Sequence, residues 1–182
     1  IDCGSSKTPE IEKMVGAAGY RTACIKQEQL PLEDISSYRG VIISGAPILL
    51  SQISPLPYLQ RFEFIKSLTI PVLGICFGHQ VLGMVHGSKV KRCEEDRKTT
   101  TISLMDSELF YGLDNVAKFA EDHCECIELP NSFVLTGSSA ICAVEAMEHT
   151  TKKMFGVQFH PEVSGDNGLI LFKNFLNICN RE

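Results

Sequence analysis

No apolar run in this 182-residue chain approaches the roughly 18 residues that a membrane span requires, so membrane insertion is excluded. There is no excess of positive charge: 17 Lys and Arg stand against 22 Asp and Glu, leaving a net charge of −5, which speaks against a nucleic-acid or acidic-membrane surface as the main purpose. No GxxxxGK[ST] loop or other phosphate cradle is present, so ATP and Mg²⁺ are not expected on this chain and it should need no cofactor. Repeats, low-complexity stretches and a linker that would split the chain are all missing, so residues 1–182 read as one domain. Hydrophobic residues at 44% and charged residues at 21% are close to the globular average, which excludes disorder.

The eight cysteines have irregular spacings and no secretory signal precedes them, so free thiols in a reducing cytoplasm are expected. The only close pair, Cys124 and Cys126, is a CxC without a matching second pair, and no metal site is expected from it. Ile1-Asp2-Cys3 before Gly4 reads as the end of a first strand whose beginning is truncated.

Short β-branched runs then alternate with amphipathic stretches. Helices are expected over 9–19, 59–67, 77–86 and 168–179, and strands over 21–26, 40–44 and 71–75. Further strands at 99–105, 118–120, 133–138, 143–148 and 154–159 have short connections. The first pattern is that of a doubly wound, mostly parallel α/β sheet with helices on both faces, and the second adds a smaller antiparallel or mixed region. The charge-rich stretch 89–98 reads as a solvated loop.

The most informative segment is Gly74-Ile75-Cys76-Phe77-Gly78-His79-Gln80, where a buried strand meets a helix. Glycines two residues before and after a nucleophilic side chain allow a sharp turn that leaves that side chain exposed above the sheet. The nucleophile here is a thiol. Lowering a thiol pKa from ~8.5 to about 6 takes ~3.4 kcal/mol, whereas a helix N-terminus supplies only ~0.3 to 1 kcal/mol, so a histidine partner is required. His160, in Gln158-Phe159-His160-Pro161-Glu162-Val163, is the best candidate. In extended backbone Glu162 projects to the same face and can orient it, with Pro161 keeping the segment from turning helical. His79, His86 and His149 read as packing or loop residues.

GICFGHQ with FHPEV resembles the class I, or triad, glutamine amidotransferases over essentially the whole chain. Within that family the likeness is to the glutaminase subunits of two-subunit GMP synthases, through Asp2-Cys3-Gly4-Ser5, Ile43-Ser44-Gly45-Ala46-Pro47, Gly87-Ser88-Lys89-Val90 and the segment 156–164. The resemblance implies a flavodoxin-like fold and a glutaminase that forms a γ-glutamyl thioester. It matches Cys76 to the nucleophile, His160 to the general acid/base, Glu162 to its orienting partner, and the backbone N–H groups of Ala46 and Phe77 to the oxyanion hole. Gly45, Gln80, His123 and Cys124 match substrate-binding positions. The implied partners are L-glutamine and an ATP-pyrophosphatase synthetase subunit, with GMP synthetase as the best specific match. Ala46 stands where the family usually has a second glycine, and its N–H can donate if its φ is negative. Arg97-Lys98-Thr99-Thr100 replaces the usual Arg-Glu-aromatic-Gly stretch, and Asp122 and Glu125 replace Ser and Asp. Those departures keep open the glutaminase part of another amidotransferase or a stand-alone γ-glutamyl hydrolase. A non-catalytic regulatory module is a third reading, against which the intact Cys76, His160 and Glu162 set argues.

Overall fold

A computed structural model describes residues 1–30 and 34–181. Three parallel strands form its centre: β1 (Val41–Ile43), β2 (Val72–Ile75) and the last strand of the chain, β9 (Met154–Val157). All of β2 and β9 is buried, as expected of strands covered on both faces. Alternation divides the core in two. Leu73 and Ile75 of β2 face α1 (Thr8–Ala17) and α4 (Gly165–Arg181), while Val72 faces α2 (Leu56–Phe62) and α3 (Phe77–Val85). Along α4 the buried residues Leu171, Phe172, Phe175 and Leu176 form its core-facing stripe, each contributing about 1.5–3 kcal/mol of burial.

The sheet continues antiparallel beyond β9 through β8 (Ala146–His149), β7 (Phe133–Ser138), β4 (Thr99–Leu104) and β5 (Val116–Ala120), in the order β1-β2-β9-β8-β7-β4-β5. The expected fold class, a parallel doubly wound unit extended by antiparallel strands, is the one observed. A separate antiparallel ribbon pairs β3 (Val90–Asp96) with β6 (His123–Ile127). Residues Ile1 to Cys3 run beside β1, with the Ile1 amine donating to Ile42 O and Ser44 N–H to Ile1 O.

Several expectations need correction. The stretch 89–98 is no loop, because its Val90–Asp96 part is β3. Its charges mask the strand because most of the ribbon's β3 face meets solvent, so there is no apolar alternation to read. Of the strand expected over 21–26, only Lys26 pairs, with Asp2, and residues 21–24 before it are exposed. The helix expected over 59–67 is two pieces. Pro57 in the first turn starts α2 at Leu56, and Phe62, with ψ near 4°, turns the chain into a 3-10 segment, Glu63–Ser67. No helix among the described residues is long and apolar enough to cross a membrane.

Candidate active site

Cys76 joins β2 to α3 and is the one non-glycine residue with positive φ among the described residues, at φ 52° and ψ −105°. That conformation costs an L-residue about 1–3 kcal/mol and persists only where the surroundings enforce it. The enforcement is visible. Cys76 N–H donates to Val157 O at 2.8 Å and its carbonyl accepts from Gln80 N–H at 3.0 Å. A Cβ on Gly74 would lie 2.5 Å from Gly78 O, and one on Gly78 would lie 2.3 Å from Ile43 O. Both glycines are therefore needed for the helix to start this close to the sheet.

The two-residue spacing of β9 carries Gln158 and His160 beyond its C-terminal end. His160 is fixed by its N–H to Ala120 O at 2.8 Å and by Ser164 Oγ donating to its carbonyl at 2.6 Å. Ser164 Oγ also accepts from Ala120 N–H, so one hydroxyl ties β5 to the histidine loop. His160 Nδ1 meets Glu162 Oε1 at 2.7 Å, both side chains buried. The expected pairing occurs, but not by extended geometry. Pro161–Val163 is a 3-10 turn with proline in its first turn, so Pro161 starts the turn instead of preventing it.

Cys76 and His160 line one cavity of about 410 Å³, within the size range of small-ligand sites. Gly45 sits against the pair: a Cβ there would lie 3.3 Å from His160 Cε1 and 3.7 Å from Cys76 Cβ. Its part is to leave room for them, and it does not itself line the cavity. Ala46 and Phe77 do line it, and the Phe77 N–H is aimed at the Cys76 sulfur. Ala46 has no positive φ, so alanine fits where the family usually has glycine.

Burial pushes the Cys76 thiol up to about 12, with the Glu162 charge adding to it and the Phe77 N–H opposing. This reverses the expectation of a lowered thiol pKa, because desolvation of a thiolate outweighs one helix N-terminus. The proton therefore leaves the sulfur during attack. Alkylation of Cys76 by iodoacetamide in the absence of substrate is expected to rise about tenfold per pH unit from pH 7 to 9. A plateau already present at pH 7 would show a preformed thiolate–imidazolium pair instead.

The remaining expected residues divide. Gln80 lines the cavity, but its Nε2 donates to Glu125 O at 3.2 Å and to Gln158 Oε1 at 3.1 Å. Cys124 lines the cavity, half-buried. His123 belongs to the wall, yet its ring nitrogens point behind it: Nδ1 contacts Glu125 O at 3.1 Å, and Nε2 lies 3.4 Å from Glu121 Oε2 without a hydrogen bond. Sequence reasoning assigned no role to Gln158, whose Nε2 donates to Cys76 Sγ at 3.5 Å; its position two before His160 was the available signal. It also missed the charged rim. Lys7 Nζ and Arg97 Nη1 hold Asp122 at 2.7 and 3.3 Å, and the Lys7 hydrogen bond keeps the Asp122 carboxyl below its usual range. All three line the cavity. Glu125 caps the cavity floor by accepting from Leu50 N–H at 2.9 Å and Ser51 N–H at 3.0 Å.

A thiol on a strained strand-to-helix turn, sharing a cavity with a glutamate-held histidine above a parallel sheet, defines an α/β enzyme of the thiol-triad class. The glutamine amidotransferase class-I profile matches residues 1–178, and the chain belongs to that family. It is 35% identical to the glutamine-hydrolyzing subunit of GMP synthase from Methanocaldococcus jannaschii over 186 aligned positions, covering 98% of this chain and 95% of that one. With the subunit of the same name from Saccharolobus solfataricus it shares 36% identity over 159 positions, covering 83% and 82%. The crystal structure of a putative GMP synthase subunit from Thermoplasma acidophilum superposes with a TM-score of 0.91 at 28% identity, covering 100% of this chain and 92% of that one.

Proposed function

We propose that this chain hydrolyses L-glutamine to glutamate and ammonia at Cys76 and passes the ammonia to a separate ATP-pyrophosphatase synthetase subunit, with XMP to GMP as the acceptor reaction. The observation that carries the chemistry is Cys76 facing one cavity with His160, whose Nδ1 is held by Glu162. With Nδ1–H donated to Glu162, Nε2 is the ring nitrogen left to take the thiol proton as Sγ attacks the side-chain amide carbon. The N–H groups of Ala46 and Phe77 receive the oxyanion, and losing one such donor costs on the order of 100- to 1000-fold in rate. His160 then gives its proton to the amide nitrogen, ammonia leaves, and a thioester remains. Water activated by the same imidazole cleaves it, releasing glutamate and restoring the thiol. Gln158 and Gln80, bonded to each other, hold the sulfur side of the cavity.

The rim matches a zwitterionic substrate. Arg97 and Lys7 offer positive charge to the α-carboxylate of glutamine, and Asp122 offers negative charge to its ammonium. The acceptor is supported by the names of the relatives and by the chain's matching most of their length. ATP and Mg²⁺ belong to the synthetase in this reading. Ammonia is mostly protonated at neutral pH, so transfer through a docked partner follows.

The test mixes this chain with the GMP synthetase subunit of its own source, XMP, ATP and Mg²⁺. GMP formation from glutamine is expected with the intact chain and not with Cys76→Ser, while ammonia supports it in both. If ammonia supports GMP formation but glutamine with the intact chain does not, the acceptor reading falls.

A further inference from the structure

Behind the β6 wall of the cavity, thiols and an imidazole converge. Cys93 Sγ on β3 lies 3.6 Å from His123 Nδ1 on β6. Ligand atoms of Cys93, His123 and Cys126 all lie within 4.8 Å of one another. The Cys126 thiol faces those of both Cys93 and Cys142, the latter in the connection before β8. Cys126, Cys142 and His123 are buried, and half-buried Cys93 leaves a way in. Spacing along the chain could not show this, because the ribbon's register does the work. Arg92 pairs Glu125 and Asp96 pairs His123, so three β3 residues bulge against one on β6 and carry Cys93 in.

The dimensions suit a tetrahedral ion. Bonds of about 2.3 Å to sulfur and 2.0–2.1 Å to nitrogen set a sulfur–nitrogen edge of about 3.6 Å. The far side of the imidazole meets a buried carboxyl group. His123 Nε2 lies 3.4 Å from Glu121 Oε2 with both side chains buried and no hydrogen bond between them. With the proton on Nε2 toward Glu121, Nδ1 presents a lone pair to the thiols; with it on Nδ1, the ring donates to Glu125 O. Buried cysteines serve as small hydrophobes elsewhere, but packing does not require two thiols to gather around one imidazole.

We propose that Cys93, His123 and Cys126 form a site for a thiolate-preferring divalent cation of the zinc class, its fourth position left to water, bracing the β3–β6 ribbon. As each metal–sulfur bond forms, the thiol proton passes to solvent. The ion lies outside the cavity, so it holds the wall that carries Asp122, Cys124 and Glu125 and takes no part in the thioester chemistry.

The experiment uses the full chain, reduced and stripped with a chelator, titrated with Co²⁺ and then Zn²⁺. One equivalent of Co²⁺ is expected to produce sulfur-to-cobalt charge-transfer absorption and the visible bands of a tetrahedral ion. Zn²⁺ should displace it and raise the unfolding temperature. Cys24→Ser, at an exposed thiol, should bind as the parent does. Cys93→Ser and Cys126→Ser should each abolish the charge-transfer absorption. If Cys126→Ser fails to fold, half-buried Cys93→Ser carries the test. A folded, reduced chain without thiolate–cobalt absorption overturns the site. So does unchanged binding in Cys93→Ser combined with its loss in Glu145→Gln, which would place the ion among the buried carboxylates beside His123.

Discussion

Cys76→Gly is expected to abolish glutamine hydrolysis and yet to unfold at a higher temperature than Cys76→Ala. Loss of a triad nucleophile lowers kcat by roughly 10⁶-fold, and neither variant has a sulfur to form the thioester. The stability order follows from the backbone. Alanine keeps a Cβ at φ 52°, whereas glycine adopts that conformation without strain. Relief of about 1 kcal/mol corresponds to about 2–4 °C in a chain of this size, with glycine's larger unfolded-state entropy opposing it. Ammonia release and thermal unfolding of the two variants check both halves. An alanine variant that melts above the glycine variant would show that the strain at this turn is smaller than glycine's entropic cost.

The second large effect concerns the base and its support. His160→Ala is expected to fold and to lose hydrolysis on the scale of the nucleophile variants, since the two residues act as one unit. Glu162→Gln preserves shape and removes the charge that fixes the Nδ1 proton, so a fall of about 10⁴-fold in kcat is expected with little change in KM. The 2.7 Å contact between buried side chains is what the substitution alters. A Glu162→Gln rate within tenfold of the parent would remove Glu162 from the triad, and undiminished ammonia release by His160→Ala would sink the triad assignment.

The parts of this site that chain-local chemistry dictates were legible in advance. Gly74 and Gly78 mark the turn because a Cβ at either would collide with backbone, and that requirement is written in the residue types themselves. The His160 and Glu162 pairing was legible as a partnership but not as a shape, since a proline compatible with extended chain is equally at home in the first turn of a 3-10 segment. Lys7, Arg97 and Asp122 come from three separate segments and meet only through tertiary structure, so the local sequence marks Arg97 and Asp122 as departures from the family pattern without showing that they pair at one rim. The β3 strand stayed hidden for a related reason. A two-stranded ribbon needs no continuous apolar face, and a bulge breaks what alternation it has.

The position of β9 sets when activity can begin. It is the last strand among the described residues, yet it lies between β2 and β8 and joins the parallel strands to the antiparallel ones. As the polypeptide emerges from a ribosome, Cys76 is synthesised well before the strand whose Val157 carbonyl holds its turn and whose end carries His160. Until β9 inserts, the thiol has no base and the two halves of the sheet have no shared edge. The site is therefore incomplete until β9 is in place, and α4, which follows it, still has to cover its face of the sheet.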